Sequence, residues 1–271
     1  MGASVLAREF DLPVIVDGPA KVSLWAYLPV SDPPEGTTLY MDPSPSEYLD
    51  WVWEIPVNPE TVSVGFVTTG SSMKTKRDQG FSVAKIYQQE LAKFPRFEAL
   101  LQAGAMGEIN VTSFKARFYR DVAGPNWLIC GEAASMVDPI TANGVTAALR
   151  HAAEASSLIL KYRSRGRLSR RARICYSGRI EQMAKFFNGG IEKIVYDPPV
   201  RNRIGLPKAG TIYTAPAWSM NAVYARLKPS GIFSTLLLSS LLGMFRLGAS
   251  VFYRFSRGRA NISNGGRQVP A

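Results

Sequence analysis

Residues 126–145 constrain the fold more than any other stretch of the chain. Asn126 is followed by Trp127-Leu128-Ile129-Cys130, a short apolar run that reads as a buried strand, with Cys130 as a small buried hydrophobe. Gly131-Glu132, a loop containing Pro139, and Asn143-Gly144-Val145 come next, leading into a long Ala-rich segment. The expected order is therefore strand, acidic turn, Pro-bearing loop and helix. A carboxylate at a strand end can accept hydrogen bonds from sugar-type hydroxyls. A helix start offers backbone N–H groups without intrahelical partners and the positive end of a dipole. Together they can hold a polyol beside an electron-rich ring oxygen. The bland alternative is an ordinary strand-to-helix turn.

The rest of the chain supplies both kinds of element. Residues 21–67 read as an antiparallel meander, with strands at Val22–Leu28, Tyr48–Ile55 and Thr61–Thr68 and a turn at Asp32–Gly36. Phe81–Ala103 carries apolar residues near the helical period, with a break at Pro95. Ile109–Tyr119 returns to strand. Helices are expected over Ala142–Tyr162 and from about Ser169 to Ile194. Asp197-Pro198-Pro199 marks a boundary, so the division expected is residues 1–196 and a helical, basic, apolar region 197–271.

Charge is distributed unevenly. Residues 1–160 hold 12 basic and 18 acidic side chains, whereas 161–271 hold 20 basic and 3 acidic. A basic surface of that kind suits an anionic partner. Seven arginines lie in 163–179, but without aromatic interleaving or a recognition motif, so nucleic acid is not expected. Residues 232–253 form an apolar stretch whose single charge is Arg246, with basic residues on both flanks. Peripheral contact with an anionic membrane surface competes there with burial in a core. The one histidine, His151, and two cysteines exclude a His-based triad and a Cys/His zinc site. His151 itself reads as a packing residue. Cysteine usage and the start of the chain point to a cytoplasmic protein, or one associated with a membrane.

The segment Gly131-Glu132-Ala133-Ala134, with Pro139 and the Gly144 helix start, resembles the second FAD-binding motif of aromatic hydroxylases, halogenases and geranylgeranyl reductases. Those proteins carry Asp where this chain has Glu132. Asp50-Trp51-Val52-Trp53-Glu54-Ile55-Pro56 contains Trp-x-Trp-x-Ile-Pro, a signature of flavin-dependent halogenases. The strand-like Thr61–Val67 follows in the same order, and Ser4–Arg8 is similar to the stretch after the family's Asp-x-x-Gly turn. The resemblance covers roughly residues 1–160.

It implies an α/β or α+β fold: a partial FAD-binding domain, an antiparallel substrate-side sheet and a helical carboxy-terminal region. It implies FAD as cofactor, with Gly131, Glu132, Pro139, Asn143, Gly144 and Val145 as binding residues. Trp51 and Trp53 would line a substrate channel, or simply pack in the sheet. The activity implied is an FAD-dependent oxidoreductase of halogenase or monooxygenase type, using O₂ and a small aromatic or lipophilic substrate. No Gly-x-Gly-x-x-Gly occurs in the 271 residues, so the unit that grips the ADP pyrophosphate is not present, as in a fragment or one half of a split enzyme. Thr141-Ala142 stands where tryptophan halogenases carry Glu-Ser, and no catalytic residue is assigned. Two alternatives stay open: a membrane-associated flavin reductase or dehydrogenase of prenyl-type lipids, and a non-catalytic remnant that binds no FAD.

Overall fold

The computed structural model describes residues 5–42, 48–102, 106–141, 143–189 and 212–214, with isolated positions at 196, 244, 247 and 251. In chain order the elements are α1 (Val5–Glu9), β1 (Val14–Pro29), β2 (Thr38–Asp42), β3 (Asp50–Asn58), β4 (Thr61–Thr69), α2 (Gly70–Asp78), α3 (Val83–Leu91) and α4 (Pro95–Gln102). They continue as β5 (Asn110–Tyr119), β6 (Ser135–Met136), α5 (Gly144–Tyr162), α6 (Arg170–Ala184) and β7 (Ile212–Thr214). The chain divides into two compact units, one built from 1–18 and 115–194 with 217–271, the other from 19–114 and 195–216.

The second of these is a sheet unit. Its antiparallel pairs run β1–β4, β4–β3, β3–β2 and β2–β7. The period-two pattern of β4 explains which face is covered. Val62, Val64 and Phe66 point inward with Leu24, Ala26 and Leu28 of β1, and all six are buried. The helices α3 and α4 and the link between them close this face with Ile86, Tyr87, Leu91, Phe94 and Phe97. Ser82 caps α3 by accepting from the Lys85 amide, and Pro95 sits at the first position of α4, where its missing N–H costs nothing. The break expected at Pro95 is therefore a boundary between two helices.

Three buried carboxylates in this unit, Glu54, Asp42 and Glu90, are paired with cations. Glu54 is fully buried, and it accepts from the Tyr40 hydroxyl at 2.6 Å and from Arg96 Nη2 at 2.8 Å. Lys93 reaches Asp42 at 2.7 Å and Glu90 at 2.5 Å. Asp50, at the start of β3, has its carboxyl pushed up to about 7, first by burial and then by the nearby Glu90 charge. Lys21 of β1 is buried against the rings of Tyr48 and Tyr196, 5.4 and 4.4 Å from their centroids.

The other unit is assembled differently. The end of β5 pairs with β6 through Arg117–Met136 and Phe118–Ser135. Its core joins Tyr119, Val122, Ile129 and Ala134 to Ala155 of α5 and to Tyr176 and Ile180 of α6. The strand expected at Trp127–Cys130 is not formed. Only an isolated bridge, Ala123 to Leu128, is present, and the run is a loop with Ile129 buried and Cys130 exposed. The physical reason is one-sided pairing: Val122 and Gly124 bond to it through Ile129 N–H and Trp127 C=O. Apolarity alone does not supply a second neighbour. The apolar stretch 232–253 lies outside the described residues except at isolated positions. No helix among the described residues is long and apolar enough to cross a membrane.

Candidate flavin-binding turn and helix start

Gly131 opens a three-residue 3-10 turn, Gly131–Ala133, with φ +63°. That left-handed conformation is one a side chain makes costly. A Cβ at Gly131 would lie 3.5 Å from the Ala148 side chain, an ordinary contact, so conformation rather than space calls for glycine. The turn is tied on three sides. The Ala134 amide donates to the Gly131 carbonyl at 3.0 Å, and the Tyr119 amide of β5 donates to the Ala134 carbonyl at 3.0 Å. The Gly131 amide donates to Nδ1 of His151 at 3.1 Å. Ala148 and His151 are one and two turns into α5, so the Gly131–Glu132 turn rests against the first half of that helix. The Glu132 side chain is exposed.

The start of α5 is also available. Asn143 precedes the helix, is 1% exposed, and makes no side-chain capping bond; its Oδ1 is buried without a hydrogen-bond partner. A Cβ built at Gly144 would meet nothing within 4 Å, and Val145 is 73% exposed. Open space therefore adjoins a helix end whose first amides are not capped by Asn143.

The intervening loop is held from below. Asp138 is fully buried; its Oδ1 accepts from the Ile140 amide at 3.0 Å, and its own amide donates to Asn188 Oδ1 at 3.2 Å. Asn188 Nδ2 in turn donates to the Met136 carbonyl at 3.2 Å. Pro139 is exposed on this scaffold. Thus the turn that carries Gly131 and Glu132 rests beside Ala148 and His151 of α5, the helix that Asn143, Gly144 and Val145 open, with Pro139 in the loop between them. Sequence reasoning missed His151, Asp138 and Asn188 as the residues that set this geometry.

Trp51 and Trp53 belong to the sheet unit. They share one face of β3, with ring centroids 5.9 Å apart. Trp51 is 1% exposed and donates from Nε1 to the Tyr196 hydroxyl at 3.2 Å. Trp53 is half-buried, donates to Ser63 at 3.2 Å, and lies flat over Gly65, where an added Cβ would fall 2.1 Å from its ring.

Known proteins resemble the chain in sequence over part of its length and in fold over most of it. A tryptophan 2-halogenase of Chondromyces crocatus is 32% identical over 111 residues, covering 40% of this chain and 21% of that protein. The flavin-dependent halogenase ptaM of Pestalotiopsis fici is 33% identical over 112 residues, covering 39% and 20%. Over these stretches the chain is similar to flavin-dependent halogenases. The matched stretch is about a fifth of the length of those relatives. Solved structures show the same fold. A triple mutant of the flavin-dependent brominase Bmp2 superposes with a TM-score of 0.67 at 14% identity, covering 93% of this chain and 60% of that one. The halogenase PltM, solved with phloroglucinol and FAD, gives 0.60 at 13% identity, covering 96% and 59%. No protein-family model matches the chain. The α+β architecture expected from the sequence is the architecture of these halogenases.

Proposed function

We propose that the chain forms the substrate-side sheet and the second flavin-contacting segment of an FAD-dependent oxidoreductase of halogenase or monooxygenase type. The observation that carries this reading is the placement of the left-handed Gly131–Glu132 turn against an α5 whose opening Asn143 has an orphaned, buried Oδ1. A buried acceptor without a donor costs about 1–3 kcal/mol unless a ligand or water supplies one. A flavin fits what is present. Its ring edge offers both donor and acceptor atoms to Asn143 and to the first α5 amides, and its polyol offers hydroxyls to the exposed Glu132 carboxylate.

In this reading Glu132 holds the ribityl hydroxyls, and Asn143, Gly144 and Val145 orient the ring edge. Pro139 shapes the connecting loop. The cofactor supplies the redox chemistry with O₂; the chain's residues bind, orient and exclude water. Trp53 would line the route to a small aromatic or lipophilic substrate, backed by the buried Trp51. The ADP end needs a glycine-rich unit from polypeptide beyond these 271 residues. Cytoplasmic location with peripheral membrane contact through 232–253 belongs to the same reading, supported by the basic flanks Arg226, Lys228, Arg254, Arg257 and Arg259.

Titration of the purified chain with FAD, followed by quenching of flavin fluorescence, tests the proposal. Saturable quenching is expected. Its absence would favour the second reading, a remnant that no longer binds FAD.

A further inference from the structure

Few contacts hold the Gly131–Glu132 turn, and one of them uses a group that the flavin reading leaves without a role. His151 is the only histidine in the chain, is 4% exposed, and lies on the face of α5 that also carries Ala147 and Ala155 into the core. Its Nδ1 is 3.1 Å from the Gly131 nitrogen. For that nitrogen to accept a hydrogen bond, the ring must be neutral with its hydrogen on Nε2. Burial pushes the imidazole down to about 4, so the ring is neutral across the working range of a cytoplasmic protein.

We infer that His151 is a positioning residue: its Nδ1 takes the Gly131 amide hydrogen, locks the left-handed turn to α5, and thereby fixes where the Glu132 carboxylate stands. The inference rests on the flavin reading only for the purpose of the turn; the clamp itself is a property of the free chain. A base at this position is a poorer account, because the accepting nitrogen is already occupied. Without the clamp, Gly131 can leave φ +63° for other wells open to glycine, and the carboxylate that follows moves with it.

Two variants separate positioning from packing. His151→Asn keeps an acceptor, its Oδ1, at a similar reach from the backbone. His151→Leu keeps apolar bulk and removes the acceptor. Hydrogen exchange at the Gly131 amide should rise by about tenfold or more in His151→Leu, and FAD affinity should fall by about tenfold, the size of one hydrogen bond. His151→Asn should restore most of both. Equal Gly131 protection in wild type and His151→Leu would overturn the inference, as would an Asn variant that behaves like the Leu variant. If wild type binds no FAD, the flavin reading fails while the exchange measurement still decides the clamp. If His151→Leu does not fold, the unmodified protein gives the answer. A ¹⁵N–¹⁵N scalar coupling across the hydrogen bond from Gly131 N to His151 Nδ1 is expected, and its absence would overturn the clamp.

Discussion

The carboxylate cluster of the sheet unit and the opening of α5 treat buried polarity differently. In the first, Glu54 is enclosed with Tyr40 and Arg96, while Asp42 and Glu90 share Lys93. In the second, Asn143 keeps a buried oxygen with no partner, and α5 exposes Val145, Leu149, Ile159 and Leu160 beside its buried face. The contrast separates carboxylates held by a cation within the fold from a helix opening whose buried acceptor has no partner. On the proposed reading, the sheet unit serves as scaffold and the opening of α5 as the site.

The largest effect should come from opening the scaffold's charge pairing. Arg96→Ala leaves Glu54, 1% exposed, buried without its cation. A loss of about 3 kcal/mol is expected in urea unfolding. The same truncation at Asp78, in an exposed pair with Lys74, should change stability by under about 0.5 kcal/mol. Gly65→Ala comes next, since the new Cβ would collide with the Trp53 ring between paired strands. The expected cost is about 1–3 kcal/mol, with a shifted tryptophan emission. Gly131→Ala should cost about 1–2 kcal/mol through its positive φ alone, and should weaken flavin binding.

The pH dependence sharpens the contrast, because the two units oppose each other. Asp50 has a raised folded-state value of about 7 against an ordinary 3.8, so it penalises the fold as pH rises from about 4 to 7. His151 has a lowered value of about 4 against 6.5, so the stability it contributes is present above about 6.5 and is lost as pH falls toward 4. Asp50→Asn should flatten the first slope and leave the second, as chemical denaturation across pH 4–8 can measure. The smallest effect is expected at Leu149→Ser, on the exposed side of α5, with stability changed by under about 0.5 kcal/mol.

Most of this framework was readable from local pattern. The alternation in Val62–Val67 placed β4 correctly, and the Ala-rich run 144–162 announced α5 to within two residues. The helix α2 was missed because it is polar nearly all round, with only Met73 buried, although Thr69 caps it in the usual way by accepting from the Ser72 amide. The Trp127–Cys130 run misled because four apolar residues specify burial on at least one side but not a strand partner. The supports of the site were out of reach for a different reason. Gly131 and His151 are 20 residues apart, and Asp138 and Asn188 are 50 apart, so only the tertiary fold joins them.

The central claim is that Glu132 and the opening of α5 grip the polyol and ring of a flavin without help from an ADP-binding unit. Riboflavin, which has the ring and polyol but no ADP, tests it most directly by calorimetric titration of wild type and Glu132→Ala. Saturable binding in wild type, weakened about tenfold in Glu132→Ala, is the predicted result. Equal affinity in the two proteins, or no saturable binding in wild type, would contradict it.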